Sequence, residues 1–310
     1  MTEAARPLDA GPRSWVEAAP AAWRPFLRLA RYDRPIGFWL LALPCWQGLA
    51  LARVGEGFRP SDLGLATLFG LGALAMRGAG CTYNDIVDRD LDAKVARTAN
   101  RPLPAGQVGL RGAALWLMAQ LLVGLGVLLA LPRMAQIVAL SSVPLVALYP
   151  LMKRITWWPQ AFLGLVFSWG ALVAPAALGV SPIYLSQTLL YAACVLWVIA
   201  YDTIYALQDL EDDALAGVKS SARALGGSWR AAVIGFYGLA ALALVGALGT
   251  SAAPMGWAFG MGAGAVLFFG GIWQARKADP NAPHHALTAF KSNRGLGLAV
   301  LAVLLLAAIV

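Results

Sequence analysis

Long apolar runs broken by short charged stretches fill this chain from residue 36 to its end. The apolar residues do not alternate with polar ones, so the runs read as helices rather than strands. Nine of them approach the ~20 residues that the hydrocarbon core of a bilayer requires. They are expected at 36–53, 62–82, 109–131, 134–152, 160–179, 186–206, 230–250, 254–275 and 293–310. Only helices or closed barrels satisfy their own backbone hydrogen bonds in lipid. The fold class predicted is an all-α integral membrane protein with nine transmembrane helices. Residues 1–23 are Ala- and Pro-rich and predict a loosely ordered tail. The next stretch carries Arg24, Arg28 and Arg31 among apolar neighbours, the pattern of a short amphipathic helix lying in the interface. The rest, 24–310, reads as one transmembrane domain with halves at about 24–155 and 156–310.

The positive charges test this layout. With a cytoplasmic amino terminus, the tail and the loops after spans 2, 4, 6 and 8 share one side. That side and its flanks collect Arg24, Arg28, Arg31, Arg34, Arg89, Lys94, Arg97, Arg101, Lys153, Arg154, Lys219, Arg223, Arg276, Lys277 and Lys291. The other side holds Arg53, Arg59 and Arg133. Such asymmetry marks the first side as cytoplasmic; the membrane expected is a bacterial inner membrane.

Composition agrees. The chain is 59% hydrophobic and 13% charged, about half the charge of a soluble domain, and its mean hydropathy is +0.66. The net charge of +8 follows from the positive flanks of the spans, so no nucleic-acid partner is inferred. Cys45, Cys81 and Cys194 lie in or at the ends of spans without a CxxC pair, which argues against disulfide, zinc or redox roles. Pro44, Pro144 and Pro175 are expected to kink their spans. The glycines of Gly260-Met-Gly-Ala-Gly favour close helix packing.

Against this apolar background two acidic clusters stand out. Asp85, Asp88, Asp90 and Asp92 fall within eight positions at the end of span 2. Asn84, Asp88 and Asp92 are spaced i, i+4, i+8, which aligns them on one helix face. Asp85 and Asp90 fall off that face and read as water-linked or solvated. At the end of span 6, Asp209 and Asp213 are again i, i+4, and Asp202 lies two turns earlier on the same side. Glu211 and Asp212 are off-face there. Oxygen ligands of this kind suit Mg²⁺, which binds best when a phosphate completes its shell. Two Mg²⁺ ions bridging a diphosphate would fit between the clusters, held by Asn84, Asp88, Asp92, Asp209 and Asp213. Lys94, Arg97, Arg101 and Lys219 follow the clusters and are the candidate diphosphate-binding residues. Asp202 sits inside a predicted span, where an acid is costly and points to function, and Arg77 is an intramembrane arginine of the same kind. A cation transporter is the rival reading from another class. Transporter acids lie near the bilayer midplane, whereas these sit at span ends beside basic residues.

At these residues the chain resembles the UbiA family of membrane prenyltransferases. Asn84, Asp85, Asp88 and Asp92 match the pattern Asn-Asp-x-x-Asp-x-x-x-Asp, and Asp209 and Asp213 match Asp-x-x-x-Asp. Asp-Arg-Pro-Ile-Gly at 33–37, Met-Arg-Gly-Ala-Gly-Cys at 76–81, Arg-Thr-Ala-Asn-Arg-Pro-Leu-Pro at 97–104, Tyr-Pro-Leu-Met-Lys-Arg at 149–154 and Tyr-Asp-Thr-x-Tyr-Ala at 201–206 look most like the members that prenylate 4-hydroxybenzoate in ubiquinone biosynthesis. The resemblance implies nine spans around a central cavity capped by cytoplasmic loops, with Mg²⁺ as cofactor. It also implies polyprenyl diphosphate and 4-hydroxybenzoate as partners, the tail lying in membrane lipid. The prenyl group would join the ring carbon ortho to the hydroxyl. Asp88, Asp92, Asp209, Asp213 and Asp202 would be catalytic. Asp202 would orient or deprotonate the phenol, and Arg34 or Arg154 would hold the benzoate. Dihydroxynaphthoate, homogentisate or haem are the alternative acceptors.

Overall fold

A computed structural model describes residues 14–93, 98–215 and 217–310. All regular structure among them is helical. A short helix α1 (Arg24–Leu29) leads into α2 (Ile36–Ala52) and the 33-residue α3 (Pro60–Asp92). There follow α4 (Leu110–Ala130), α5 (Arg133–Leu140), α6 (Val143–Ile155), α7 (Pro159–Ser168) and α8 (Gly170–Ala177). The second half holds α9 (Leu185–Ala206), α10 (Leu210–Leu215), α11 (Ser221–Leu225), α12 (Trp229–Gly249), α13 (Gly256–Lys277), α14 (Pro283–Lys291) and α15 (Asn293–Ile309).

Eight stretches among the described residues are long and apolar enough to cross a membrane. They match eight of the nine expected runs. The remaining one, α2, is apolar but only 17 residues long. Four of these stretches join two helices each: α5 with α6, α7 with α8, α11 with α12, and α14 with α15. The α5–α6 break falls at Ser141 and Ser142, just before Pro144. Proline lacks an N–H, and its ring clashes with the carbonyl four residues earlier, so the helix restarts there. The α7–α8 break, at Trp169, involves no proline. Pro44 and Pro175 lie inside α2 and α8, which run on through them.

The main core lies where α2, α9, α12, α13 and α15 meet, around Leu43, Trp197, Tyr237, Leu244 and Leu304. Gly260 of α13 packs against the α12 backbone, where a Cβ would lie 2.8 Å from the Val245 carbonyl oxygen. A second cluster joins α2, α3, α5 and α8 through Leu49, Phe69, Ala135 and Val173. A third ties α1 to the start of α4 through Leu29, Leu103, Val108 and Ala113.

The chain ahead of α1, expected to be loose, is tied down in its described part. Val16 is fully buried in a helical turn, and Glu17 accepts from Arg28 at 2.9 and 3.0 Å. At the opposite end of α2, Arg53 and Asp62 are buried together, paired at 2.6 and 2.8 Å, and clasp the α2–α3 turn.

Candidate active site

Helix α3 runs on past its expected end at residue 82 to Asp92. At 1.5 Å per residue it is about 50 Å long, well over the ~30 Å of a hydrocarbon core. Its last turns carry the first acidic cluster. A helix carboxyl end carries partial negative charge and favours cations, so four carboxylates there need compensation. Three other segments of the chain supply it. Arg31, in the α1–α2 turn, donates through Nη2 to both oxygens of Asp85. Arg101, in the loop before α4, reaches Asp85 at 3.2 Å and Asp92 at 2.6 Å through Nη1. Lys153 and Arg154, in the last turn of α6, both donate to Asp88, the arginine at 2.9 Å. Thr98 Oγ1 donates to the Asp92 carbonyl at 2.8 Å and folds the loop back onto the helix.

Asp85 and Asp88 are fully buried and Asp92 nearly so. Burial pushes the Asp92 carboxyl above the usual carboxylate range, and the Arg101 charge works against the shift. Asn84 is half-buried. Asp85, expected off the face, is instead one of the most enclosed acids, because i, i+3 and i+7 also share a helix face. Asp90 is exposed beside Arg89, as a solvated acid should be.

The second cluster differs from expectation in its backbone. Asp202 is on α9, Asp209 in a 3-10 turn at Leu207–Asp209, and Asp213 on α10. The chain tightens between Asp202 and the other two, so one continuous α-helical face does not carry all three. Asp209 is buried, Asp213 half-buried and Glu211 exposed. The following loop is anchored to the α6–α7 connection. Lys219 donates its backbone N–H to the Lys153 carbonyl at 3.0 Å and its Nζ to the Ile155 carbonyl at 3.1 Å. The Ser221 N–H meets Gln160 Oε1 at 2.9 Å. The Trp157 ring lies under the Lys219 and Arg223 charges. Both acidic clusters are thus tied to the carboxyl end of α6, one by side chains and one by backbone.

The donors available to a metal are all oxygens, which suits a hard cation. Among the described residues, no three His, Cys, Asp or Glu side chains converge on a point that could take a metal by themselves. Mg²⁺ ordinarily takes one or two carboxylates and completes its shell with water and substrate phosphate. The buried acids fit that usage. Their partners Lys153, Arg101 and Arg154 keep 24%, 21% and 48% of their side chains exposed, so they have room to turn from carboxylate to phosphate.

The sequence matches the model of the UbiA prenyltransferase family over residues 41–294. The chain belongs to that family. The mitochondrial 4-hydroxybenzoate polyprenyltransferase of Homo sapiens is 43% identical over 95% of this chain and 78% of its own length. Among solved structures, the apo form of a UbiA homolog from Aeropyrum pernix K1 superposes with a TM-score of 0.66. It is 27% identical and covers 87% of this chain and 96% of its own. A UbiA homolog from Archaeoglobus fulgidus bound to GPP and Mg²⁺ shares the fold at a TM-score of 0.64 and 19% identity, covering 91% of this chain and 99% of its own.

In this UbiA fold the expected site residues fall into three groups. Asp88 and Asp92 come together with Arg101 and Arg154 at one end of the bundle. Lys219 ends at that same α6 terminus, on a carbonyl, and Arg34 lies half-buried beside Asp33 at 3.4 Å. Lys94, Arg97 and the side chain of Asp212 lie outside the described residues. Asp202 is set deeper, within the span, where the Arg77 charge of α3 acts on it. The sequence reading missed the roles of Arg31 toward Asp85 and of Lys153 toward Asp88. One signal was available. Four acids at a single helix end require nearby cations, and the basic pairs before α2 and at the end of α6 flank the same side.

Proposed function

We propose that this protein transfers a polyprenyl group from polyprenyl diphosphate to 4-hydroxybenzoate, at the ring carbon ortho to the hydroxyl, as a step of ubiquinone biosynthesis. The observation that carries the reading is the pairing of Asp88 with Lys153 and Arg154, joined through the α6 terminus to the loop of the second acidic cluster. The human relative, which matches nearly the whole chain, is named for this activity. Asn84, Asp88 and Asp92 would hold one Mg²⁺, and Asp209 and Asp213 the other. Bound Mg²⁺ would supply charge neutralisation for the departing diphosphate. Arg101, Lys153 and Arg154 would turn from carboxylates to phosphate oxygens as negative charge builds there. Lys94, Arg97 and Lys219 would join them from the loops. The loops would keep water from the allylic cation. Asp202 would accept the phenolic hydrogen bond and draw electron density toward the attacked ring carbon.

In this reading the site faces the positively flanked side, the cytoplasmic side of a bacterial inner membrane. The human relative is mitochondrial. Residues 24–310 act as one domain built of two halves. The test is purified protein with Mg²⁺, geranyl diphosphate and a panel of aromatic acceptors. Prenylated 4-hydroxybenzoate that disappears on adding EDTA is the expected result. A product from a different acceptor only, or none from folded protein, overturns the reading.

A further inference from the structure

Helix α13 is bracketed by two exposed tryptophans. Trp257 is 60% exposed and Trp273 51% exposed, and the helix between them is about 24 Å long at helical rise. Exposed tryptophans settle at the two edges of the hydrocarbon layer. No charged residue lies between these two, and the outward residues Met261, Ala265 and Phe269 are apolar. Arg276 and Lys277 lie one turn past Trp273, on the same helix face. They therefore stand about 5 Å beyond the edge, at the depth of lipid phosphates, on the positively flanked side.

Packing brings a third cation to the same place. Arg230, exposed in the first turn of α12, lies over the Trp229 ring at 4.7 Å. It donates from Nε to the Ala275 carbonyl at 3.0 Å and from Nη2 to the Ala278 carbonyl at 3.3 Å. Those carbonyls flank Arg276 and Lys277, so three positive charges share one turn at the end of α13. A helix carboxyl end favours a cation, and Arg230 already meets that need. Arg276 and Lys277 are surplus to it. Both are exposed, and neither pairs with a carboxylate among the described residues. Asp279, the nearest acid in sequence, accepts the Asn281 N–H at 2.9 Å. Arg230 Nη1 is also left without a hydrogen bond among the described residues.

We propose that the joined ends of α12 and α13 form a binding site for the phosphate of an anionic phospholipid. The phosphate takes charge-assisted hydrogen bonds from Arg276, Lys277 and the spare Arg230 Nη1. The acyl chains lie along Trp273 and Phe269, which is 67% exposed. Cations and apolar face together select a lipid. A free phosphate makes no use of Phe269, and a water-soluble acidic protein does not reach below Trp273. A zwitterionic lipid brings its own cation, which three positive charges disfavour. Neither α12 nor α13 carries a residue of the candidate active site, so lipid bound here leaves those side chains untouched.

The experiment titrates purified protein in detergent with phosphatidylglycerol, phosphatidylcholine or inorganic phosphate and reads the melting temperature. Phosphatidylglycerol should raise it saturably, and the other two should not. The variants are Arg276→Gln, Lys277→Gln, the two together, and Lys277→Arg. Arg111→Gln removes the same charge from an exposed position at the start of α4, on the same side. Each lost cation at the site should weaken the apparent Kd for phosphatidylglycerol about fivefold, and the pair about thirtyfold. Lys277→Arg and Arg111→Gln should stay within about twofold of the wild type. Equal losses in Arg111→Gln and Lys277→Gln would mean a diffuse field and no site. An equal response to phosphatidylcholine would remove the charge selection, and a full response to inorganic phosphate would remove the lipid. Each of these three results overturns the assignment. Every variant is compared with its own lipid-free state, so a change in intrinsic stability does not imitate a change in affinity. Turnover is not among the readouts, so the outcome is independent of the reaction proposed above.

Discussion

Arg31 Nη2 lies 2.8 and 2.9 Å from the two carboxylate oxygens of Asp85, with both side chains almost wholly buried. Arg31 is also the one described non-glycine residue with positive φ, at 59°. That conformation costs an L-residue about 1–2 kcal/mol, so the pair holds the α1–α2 turn in a shape its backbone disfavours. Removing one partner of a buried pair leaves the other charge uncompensated, at about 3–5 kcal/mol. Arg101 still reaches Asp85, so Arg31→Ala is expected at the lower end of that range. Arg31→Gly loses the same pair but relieves the backbone, and should unfold at a higher temperature than Arg31→Ala. Thermal unfolding in detergent ranks the two variants, and the reverse order would remove the strain argument.

Asp88 is fully buried, yet its partners Lys153 and Arg154 are partly exposed. Asp88→Asn therefore leaves cations that water can reach, and the fold should survive. Asp209→Asn likewise removes a charge without a change of shape. Both should lower turnover by about 10²–10³ or more, the scale of losing one electrostatic contact to the transition state. In the wild type, Mg²⁺ with inorganic diphosphate should raise the melting temperature, by about 2.7 kcal/mol of stability at a hundredfold excess over Kd. The shift should vanish in both variants. Near-normal turnover in either one would sink the two-metal reading.

The apolar pattern made the crossings legible because hydrophobic length is a local property. It placed α4, α9 and α12 within a residue or two. It did not show where helices stop once they leave the membrane. The end of α3 is met by Arg31, Lys153 and Arg154, which lie more than fifty residues away in sequence, and by Arg101 in the loop that follows it. Spacing brought out Asp88 and Asp92, but it undervalued Asp85, because three and four residues both return to one helix face. It also assumed one helix through Asp202, Asp209 and Asp213, where a 3-10 turn intervenes. Nothing local announces that turn.

Arg53 and Asp62 form a second buried pair, at the opposite end of α2 from the acidic clusters. It joins the first two spans and touches none of the site residues. Asp62→Ala should cost about 3 kcal/mol of stability, the lower end of the range for breaking a buried pair, because Arg53 keeps Glu56 at 3.1 Å. Protein that remains folded should keep kcat near the wild-type value. Activity and melting temperature measured on the same preparation separate the two effects. A large loss of kcat in folded Asp62→Ala protein would mean that this end of the bundle also serves the reaction.

Two glycines on α13 offer a paired test of how the bundle packs. A Cβ on Gly260 would meet the Val245 carbonyl oxygen at 2.8 Å, while a Cβ on Gly262 would meet nothing within 4 Å. Gly260→Leu should force α12 and α13 apart at a cost of about 1–3 kcal/mol or more. Gly262→Leu, on the open side, should be nearly neutral. Melting temperatures of the two variants in one detergent give the comparison. Equal effects would show that close approach at Gly260 contributes nothing particular.

Asp92 supplies a pH dependence whose sign follows from its surroundings. Burial raises its carboxyl above the ordinary range, against the pull of Arg101. Below about pH 4, the ordinary carboxylate range, folded and unfolded chains both hold this proton and the group contributes no slope. As pH rises above that, the unfolded chain releases its proton first. The folded chain then holds more protons, so stability falls with pH until the raised value is passed. Asp92→Asn cannot titrate. The stability of the wild type relative to this variant should therefore decline across that window and level off above it. Mg²⁺ with diphosphate should flatten the decline, because a cation at Asp92 favours the ionised form. Chemical unfolding at a series of pH values, with and without Mg²⁺ and diphosphate, reads both slopes. A wild-type curve parallel to that of Asp92→Asn would show that burial does not govern this carboxylate. A decline untouched by Mg²⁺ and diphosphate would remove Asp92 from the metal site.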